Sequence, residues 1–351
     1  MKDTIYFADI KSHRKGIMTG HYISVAENYR EVLSERYNVI VAGCENFQNA
    51  FNEKELLKLP FVNGGNYKKE KIETILNSIY LFWKARGNII VLQRSTPITS
   101  YICILLFFWF TSDLYLIQYD TESIKSWFGR FIWRLTKWKI KGVICPNKRI
   151  GESYGINYLV TTDYIFTKDY INHVPFNLRK WDFAAIGNIT KDKGTLDIIE
   201  YLASKGQKIL LAGRIAEPDL EDRLTGILSK YPNIEHHIGF VDKDNYTTYI
   251  RYSKYCLLNY SGCYNDRSSG IVLDIIFNGT PVLGSKCGAL EFIEEYALGF
   301  LYSDYSEIIF EKLFNTSIYN TFLDNIANYG RLHLLYKNKL LIFLSKKNQQ
   351  S

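Results

Sequence analysis

Short apolar runs of strand type alternate with stretches of helical periodicity from one end of this chain to the other, and few folds accept that rhythm. It implies parallel sheets covered by helices, an α/β class. In the first half the spacing predicts strands at Thr4–Ala8, Asn38–Ala42, Asn88–Leu92, Leu114–Ile117, Gly142–Cys145 and Leu159–Thr161. A helix is expected over Glu70–Trp83, where Ile72, Ile75, Leu76, Ile79 and Trp83 share one face. A polar, irregular stretch at Asp163–Trp181, containing Pro175, interrupts the alternation and reads as a linker. A second series follows, with strands at Phe183–Gly187, Lys208–Ala212, Ile234–Ile238, Tyr255–Leu258, Pro281–Gly284 and Phe300–Tyr302. The division expected is a first Rossmann-like domain at 1–170, a second at 171–318 and an amphipathic helical tail at 319–351. A length of 351 residues suits two domains.

With 47% hydrophobic and 23% charged residues, the chain can fill two cores and is not disordered in composition. Its formal net charge of +7 favours anionic partners but falls short of a dedicated nucleic-acid binder. The six cysteines form no CxxC pair and lie in apolar segments, which predicts reduced core thiols. The charged N-terminal stretch lacks a leader's apolar region, and the longest apolar run, Ile102–Phe110, is shorter than the roughly 20 residues a spanning helix needs. A cytoplasmic location is therefore expected, with the inner membrane face as an option argued from the segment Lys125–Lys141. That segment carries Lys125, Arg130, Arg134, Lys137, Lys139 and Lys141 and no acid. Read as one helix, it sets cations on one face and Trp127, Phe128, Phe131, Leu135 and Trp138 on another. Those apolar residues are read either as packing on a sheet or as docking on a membrane.

Chemistry concentrates in the second half. Gly187-Asn188-Ile189-Thr190-Lys191-Asp192-Lys193-Gly194 follows a predicted strand and opens a helix, Thr195–Ala203. Amides at such a helix start, with the Lys193 ammonium beside them, suit a phosphate. Asp266 and Asp274 stand seven residues apart, the second on an otherwise apolar helix where a carboxylate needs partners. The hydroxyls of a ribose or a sugar can supply them; the alternative is that Asp266 caps the helix and Asp274 faces solvent. Ser268, Ser269 and Gly270 at that helix start can donate to phosphate. Asp242-Lys-Asp244 has an acid-x-acid form, but helix capping accounts for it, and no metal is expected.

These residues carry a resemblance. Gly187, Lys193-Gly194, Asp266, Asp274 and Gly279-Thr280-Pro281-Val282, with Gly213 and Gly239, resemble the nucleotide-sugar domain of glycosyltransferase family 4, the retaining group with the GT-B fold. The likeness is specific over about 183–303 and architectural elsewhere. It implies two Rossmann-like doubly wound domains facing each other across a cleft. Lys193 would hold the diphosphate, Asp274 the donor ribose and Asp266 the transferred sugar, with Val241 and Tyr246 near the base. Gly20 and His21 correspond to a first-domain loop over the donor, and Tyr119-Asp120 to a cleft-facing turn. Two departures stand out: both acids are Asp where the family usually has Glu, and Asn188 replaces the diphosphate-binding Arg. Arg267 is the nearest replacement cation, with Arg214 less well placed.

The function so implied is transfer, with retention, of a sugar from a UDP- or GDP-linked donor to a hydroxyl of a glycan, lipid-linked, in cell-surface polysaccharide biosynthesis. No cofactor beyond that donor substrate is expected. The rivals are a non-catalytic GT-B protein that binds a glycan or partner, supported by Asn188, and a transferase acting on nucleic acid.

Overall fold

The computed structural model describes residues 2–11, 20–61, 67–93, 96–107, 112–162, 173–260, 262–266 and 269–345; the side chains at 20, 21, 67, 68, 263, 266 and 334 lie outside that description. The chain forms two compact units. One comprises Met1–Thr167 with His333–Ser351, the other Lys168–Leu332.

The first unit holds a seven-stranded parallel sheet: β1 (Thr4–Ala8), β2 (Asn38–Gly43), β3 (Leu56–Lys58), β4 (Ile89–Leu92), β5 (Asp113–Ile117), β6 (Ile140–Cys145) and β7 (Tyr158–Val160). Their order is β3-β2-β1-β4-β5-β6-β7, so the winding reverses between β1 and β4. Period-two alternation feeds both faces. Ile5, Phe7, Tyr115 and Ile117 point into one core, while Ala8, Leu114 and Leu116 point into the other. β3 is the strand that alternation does not reveal, because it is three residues long, lies at a sheet edge and is only partly buried.

The second unit holds six parallel strands: β8 (Trp181–Ile186), β9 (Ile209–Gly213), β10 (Ile234–Ile238), β11 (Ser253–Leu258), β12 (Val282–Ser285) and β13 (Gly299–Tyr302). Their order is β10-β9-β8-β11-β12-β13, with the reversal between β8 and β11. Open sheets of this kind bind ligands beyond the carboxyl ends of the strands at such a reversal.

Two helices depart from expectation. Lys125–Lys141 is not one helix: a short helix Glu122–Lys125 precedes a helix Trp127–Thr136, a single 3₁₀ turn covers Lys137–Lys139, and β6 starts at Ile140. Pairing of Ile140 with Leu114 pulls the chain into the sheet and places the Lys141 ammonium 3.6 Å from Asp113. The tail is part of a 30-residue helix, Thr316–Ser345, which starts in the second unit and ends in the first. There Leu340, Leu341, Phe343 and Leu344 join the core beneath β1, β2 and β5, with Phe343 edge-on to Tyr115 at 5.5 Å.

Candidate functional site

The site lies at the carboxyl ends of β8 and β11, where the second sheet reverses. β8 ends at Ile186, and Gly187-Asn188-Ile189 leaves it beside β9. A Cβ at Gly213, whose φ is +145°, would stand 1.9 Å from the Gly187 carbonyl oxygen, so the turn closes only over glycine. Lys193 ends a 3₁₀ turn, and Gly194 then adopts a left-handed conformation before the helix Thr195–Ser204 begins. The Lys193 Nζ comes back over the turn, 4.0 Å from where a Gly187 Cβ would be, and Ile271 closes the other side at 3.5 Å. Gly187, Asn188, Lys193, Asn259, Tyr260 and Ile271 thus line one small recess of about 20 Å³. Burial lowers the Lys193 pKa, as expected for an ammonium that has lost water and gains from an anion.

The helix Gly270–Phe277 delivers the second group. Its first turn presents Ile271 to the recess, and Asp274 follows within one turn. Asp274 does not face solvent. It is partly buried, and its Oδ2 accepts a hydrogen bond of 3.0 Å from the Tyr246 hydroxyl. Burial raises its pKa from 3.8 to about 6, opposed by the Tyr246 bond and the Lys243 charge.

A carboxylate whose pKa is higher in the folded than in the unfolded chain costs stability when ionised. The cost, about 3 kcal/mol for a shift of this size, is present above pH 6, shrinks as pH falls through 6 and is gone below the ordinary value near 4. Asp274→Asn should therefore stabilise the ligand-free protein at pH 7.5 by roughly 1–3 kcal/mol. Urea melts of both proteins check it: the gain should shrink between pH 7.5 and pH 4.5, and a variant less stable at pH 7.5 refutes the reading.

Other expected residues fall out as follows. Ser269 precedes the helix, and its hydroxyl lies 2.5 Å from that of Tyr260, which stacks on Tyr264. Asn188 is exposed at the mouth of the recess, and Val241 is half-buried after β10. Asp266 ends the 3₁₀ turn Gly262–Asp266; its side chain, with Arg267 and Ser268, lies outside the described residues. Gly20 and His21 form the first residues of the helix Gly20–Leu33 rather than a loop, and their side chains lie outside the description too. Asp242 is a helix cap, accepting from the amides of Asp244 and Asn245 at 3.1 and 2.9 Å. Among the described residues no cluster of His, Cys, Asp and Glu is arranged for a metal ion.

One residue of the recess was not anticipated. Asn259, just past β11, donates to the Gly194 carbonyl at 2.8 Å and to the Tyr305 hydroxyl at 3.0 Å, and accepts from Tyr302 at 2.8 Å. It clamps the Lys193-Gly194 turn to the sheet. The only signal in the sequence is its position, a polar residue at the end of a buried strand.

The first unit has its own recess, of about 630 Å³, at the carboxyl ends of β1, β4 and β5. Lys11, Glu70, Tyr119, Asp120 and Glu122 line it, with Lys11 and Glu70 paired at 3.1 Å.

No family model matches the sequence, and no curated protein does so significantly. Solved structures do match along nearly the whole chain. HepE from Anabaena, solved with UDP and glucose, aligns at a TM-score of 0.62 and 15% identity, over 98% of this chain and 99% of that one. A structure described as a UDP-N-acetylglucosamine 2-epimerase of Listeria monocytogenes gives 0.64 and 14%, over 100% and 98%. WaaG, a glycosyltransferase of lipopolysaccharide biosynthesis, gives 0.62 and 14%, over 97% and 100%. At these identities the likeness establishes the fold.

Proposed function

The fold is GT-B, two Rossmann-like α/β domains, and from it and the site we propose that this chain is a nucleotide-sugar-dependent glycosyltransferase. The observation that carries the reading is the meeting of the Lys193 ammonium, the Gly187 turn and the first turn of the helix Gly270–Phe277, one helical turn from a carboxylate destabilised by burial. HepE was solved with UDP and glucose, and a donor of that kind has the groups this site lacks. A diphosphate satisfies Lys193 and the helix-start amides; a ribose diol satisfies Asp274. Asp266 holds the transferred sugar, Arg267, Ser268, Ser269 and Gly270 border the phosphates, and Tyr246 and Val241 lie toward the base.

The chemistry assigned to these residues is electrostatic. As the bond from the anomeric carbon to the phosphate oxygen breaks, charge grows on the diphosphate, and Lys193 with the amides stabilises it. The acceptor hydroxyl bonds to that carbon on the same face and gives its proton to the departing phosphate, so configuration is retained and no enzyme nucleophile is used. The acceptor is a glycan hydroxyl, lipid-linked, of a cell-surface polysaccharide, and the recess with Tyr119 and Asp120 is its place.

Thermal-shift titration with UDP and GDP, followed by incubation with matching nucleotide sugars, tests the proposal. One nucleotide should raise the melting temperature in proportion to the logarithm of its excess, and its sugar should be turned over to free nucleoside diphosphate when an acceptor is present. No shift with any nucleotide overturns it. Binding without release favours the non-catalytic reading, consistent with Asn188 at the mouth of the site. Conversion to an isomeric nucleotide sugar points to an epimerase.

A further inference from the structure

The helix Trp127–Thr136 is held in a fixed rotation by its inner face. Gly129 lies against the preceding helix, where a Cβ would stand 2.1 Å from the Ser123 carbonyl oxygen. Trp133 donates to the Tyr154 carbonyl at 2.9 Å and packs on Tyr101 at 5.2 Å, and Thr136 and Ile132 are buried beside it. At about 100° per residue, these four contacts turn Trp127 and Phe131 directly outward. The face that was read as an alternative sheet-packing surface is the exposed one: Trp127 is 74%, Phe131 52% and Trp138 62% exposed, with Phe128 and Leu135 alongside. Arg130 and Arg134 are exposed on the flank, Lys137 and Lys139 follow, and no acid occurs from 127 to 139. The surface continues across neighbouring helices. Leu106 of the helix Ile98–Leu106 and Ile72, Leu76 and Trp83 of the helix Tyr67–Lys84 are also exposed, and those helices pack in sequence against Trp127–Thr136. Acids on these helices are few, Glu70, Glu73 and Glu122; Glu70 pairs with Lys11 at 3.1 Å and Glu122 with Lys125 at 2.7 Å.

We propose that this face docks on a bilayer containing anionic lipid. Trp127, Phe131 and Trp138 supply the amphipathic rings that settle at the headgroup level, and Arg130, Arg134, Lys137 and Lys139 reach the phosphates. Charge selects this occupant over a second copy of the chain, since a symmetric contact here would bring four cations against four. The helix Glu122–Lys125 joins this face to the recess of the first unit, which Glu122 and Ser123 line, so docking would set that recess next to the lipid surface. The inference deepens the lipid-linked acceptor reading above, yet its geometry does not depend on the donor site.

The test is co-sedimentation of the full chain, without nucleotide, with phosphatidylcholine vesicles and with vesicles containing phosphatidylglycerol as well. Binding should require the anionic lipid and weaken as salt rises. R130A/R134A should lower the affinity about 30-fold, from the usual contribution of a cation near such a surface. Trp127→Ser with Phe131→Ser should lower it at least tenfold at any salt, while circular dichroism and thermal melting stay as in the parent protein. Equal binding to neutral vesicles, no binding to either, or a lipid-free dimer that the Ser variant dissociates overturns the proposal. So does tight, salt-steep binding of duplex DNA in place of vesicles. Nucleotide binding is scored separately, so failure here leaves the transferase reading standing, and loss of that reading leaves docking testable.

Discussion

Lys193→Met should cut turnover by about 10²–10³-fold while leaving the protein at least as stable as before. The ammonium is held over the Gly187 turn, partly buried, and burial already lowers its pKa. In the free protein it is therefore a cation kept short of water, a cost that methionine of similar length removes. When a diphosphate departs, that same cation meets growing charge in a site where water does not compete, and this is where it acts most. The signature is the pairing of results: kcat falls, urea stability does not. Lys193→Arg should recover part of the rate, because charge is kept and position is not. If Lys193→Met instead unfolds the protein and leaves kcat intact in the folded fraction, the residue is structural and the site assignment is wrong.

The largest effect on stability is expected at Arg179, which no motif marks. It is 5% exposed, and its guanidinium donates to the Val174 carbonyl at 2.9 Å, the Ser253 carbonyl at 2.6 Å, the Gly279 carbonyl at 2.7 Å and the Thr280 hydroxyl at 2.9 Å. The face of its guanidinium lies over Tyr319 at 5.5 Å. One side chain thus ties the entry of the second unit to the start of β11, to the turn before β12 and to the long C-terminal helix. Arg179→Ala leaves several buried carbonyls without a donor and should cost roughly 3–5 kcal/mol, about 10 °C in melting temperature for a unit of this size. Arg179→Lys should recover less than half, since one ammonium cannot reach groups that the planar fork serves in different directions. A loss under 1 kcal/mol in urea denaturation would show that the turn holds without it. Arg179 also explains the Gly279-Thr280-Pro281 segment in physical terms. Thr280 accepts from Arg179 and donates to the Ile250 carbonyl at 2.8 Å, so the segment braces the sheet beneath the site rather than touching a ligand.

The contrast between these two residues shows what could be read in advance. The strand β1 was legible to the residue because it is a local apolar run between Asp3 and Asp9, and β10, Ile-Glu-His-His-Ile, only through the isoleucines at its two ends. The Gly187-to-Lys193 turn and the acid at 274 were legible because local spacing brings them to one strand end and one helix start. Arg179 and Asn259 were not: apart from Val174, the hydrogen-bond partners of Arg179 lie 74 to 101 residues away, and those of Asn259 43 to 65. No periodicity encodes such contacts. The rotation of Trp127–Thr136 was equally hidden, since both of its faces carry aromatic residues and the contacts of Gly129 with Ser123 and of Trp133 with Tyr154, which decide which one turns inward, cross between elements.

The return of the helix Thr316–Ser345 to the first sheet bears on how the molecule can be made. Gly142 owes its lack of a side chain to Phe343, whose ring would stand 2.4 Å from a Cβ there, and Tyr115 donates to the Phe343 carbonyl at 3.4 Å. A nascent chain can assemble the second sheet from a contiguous block as it leaves the ribosome. The first sheet, translated earlier, packs one side with Val25, Tyr29, Val32 and Phe47 but leaves that core incomplete until residues 340–344 have been synthesised, so the half of the molecule born first is the half completed last.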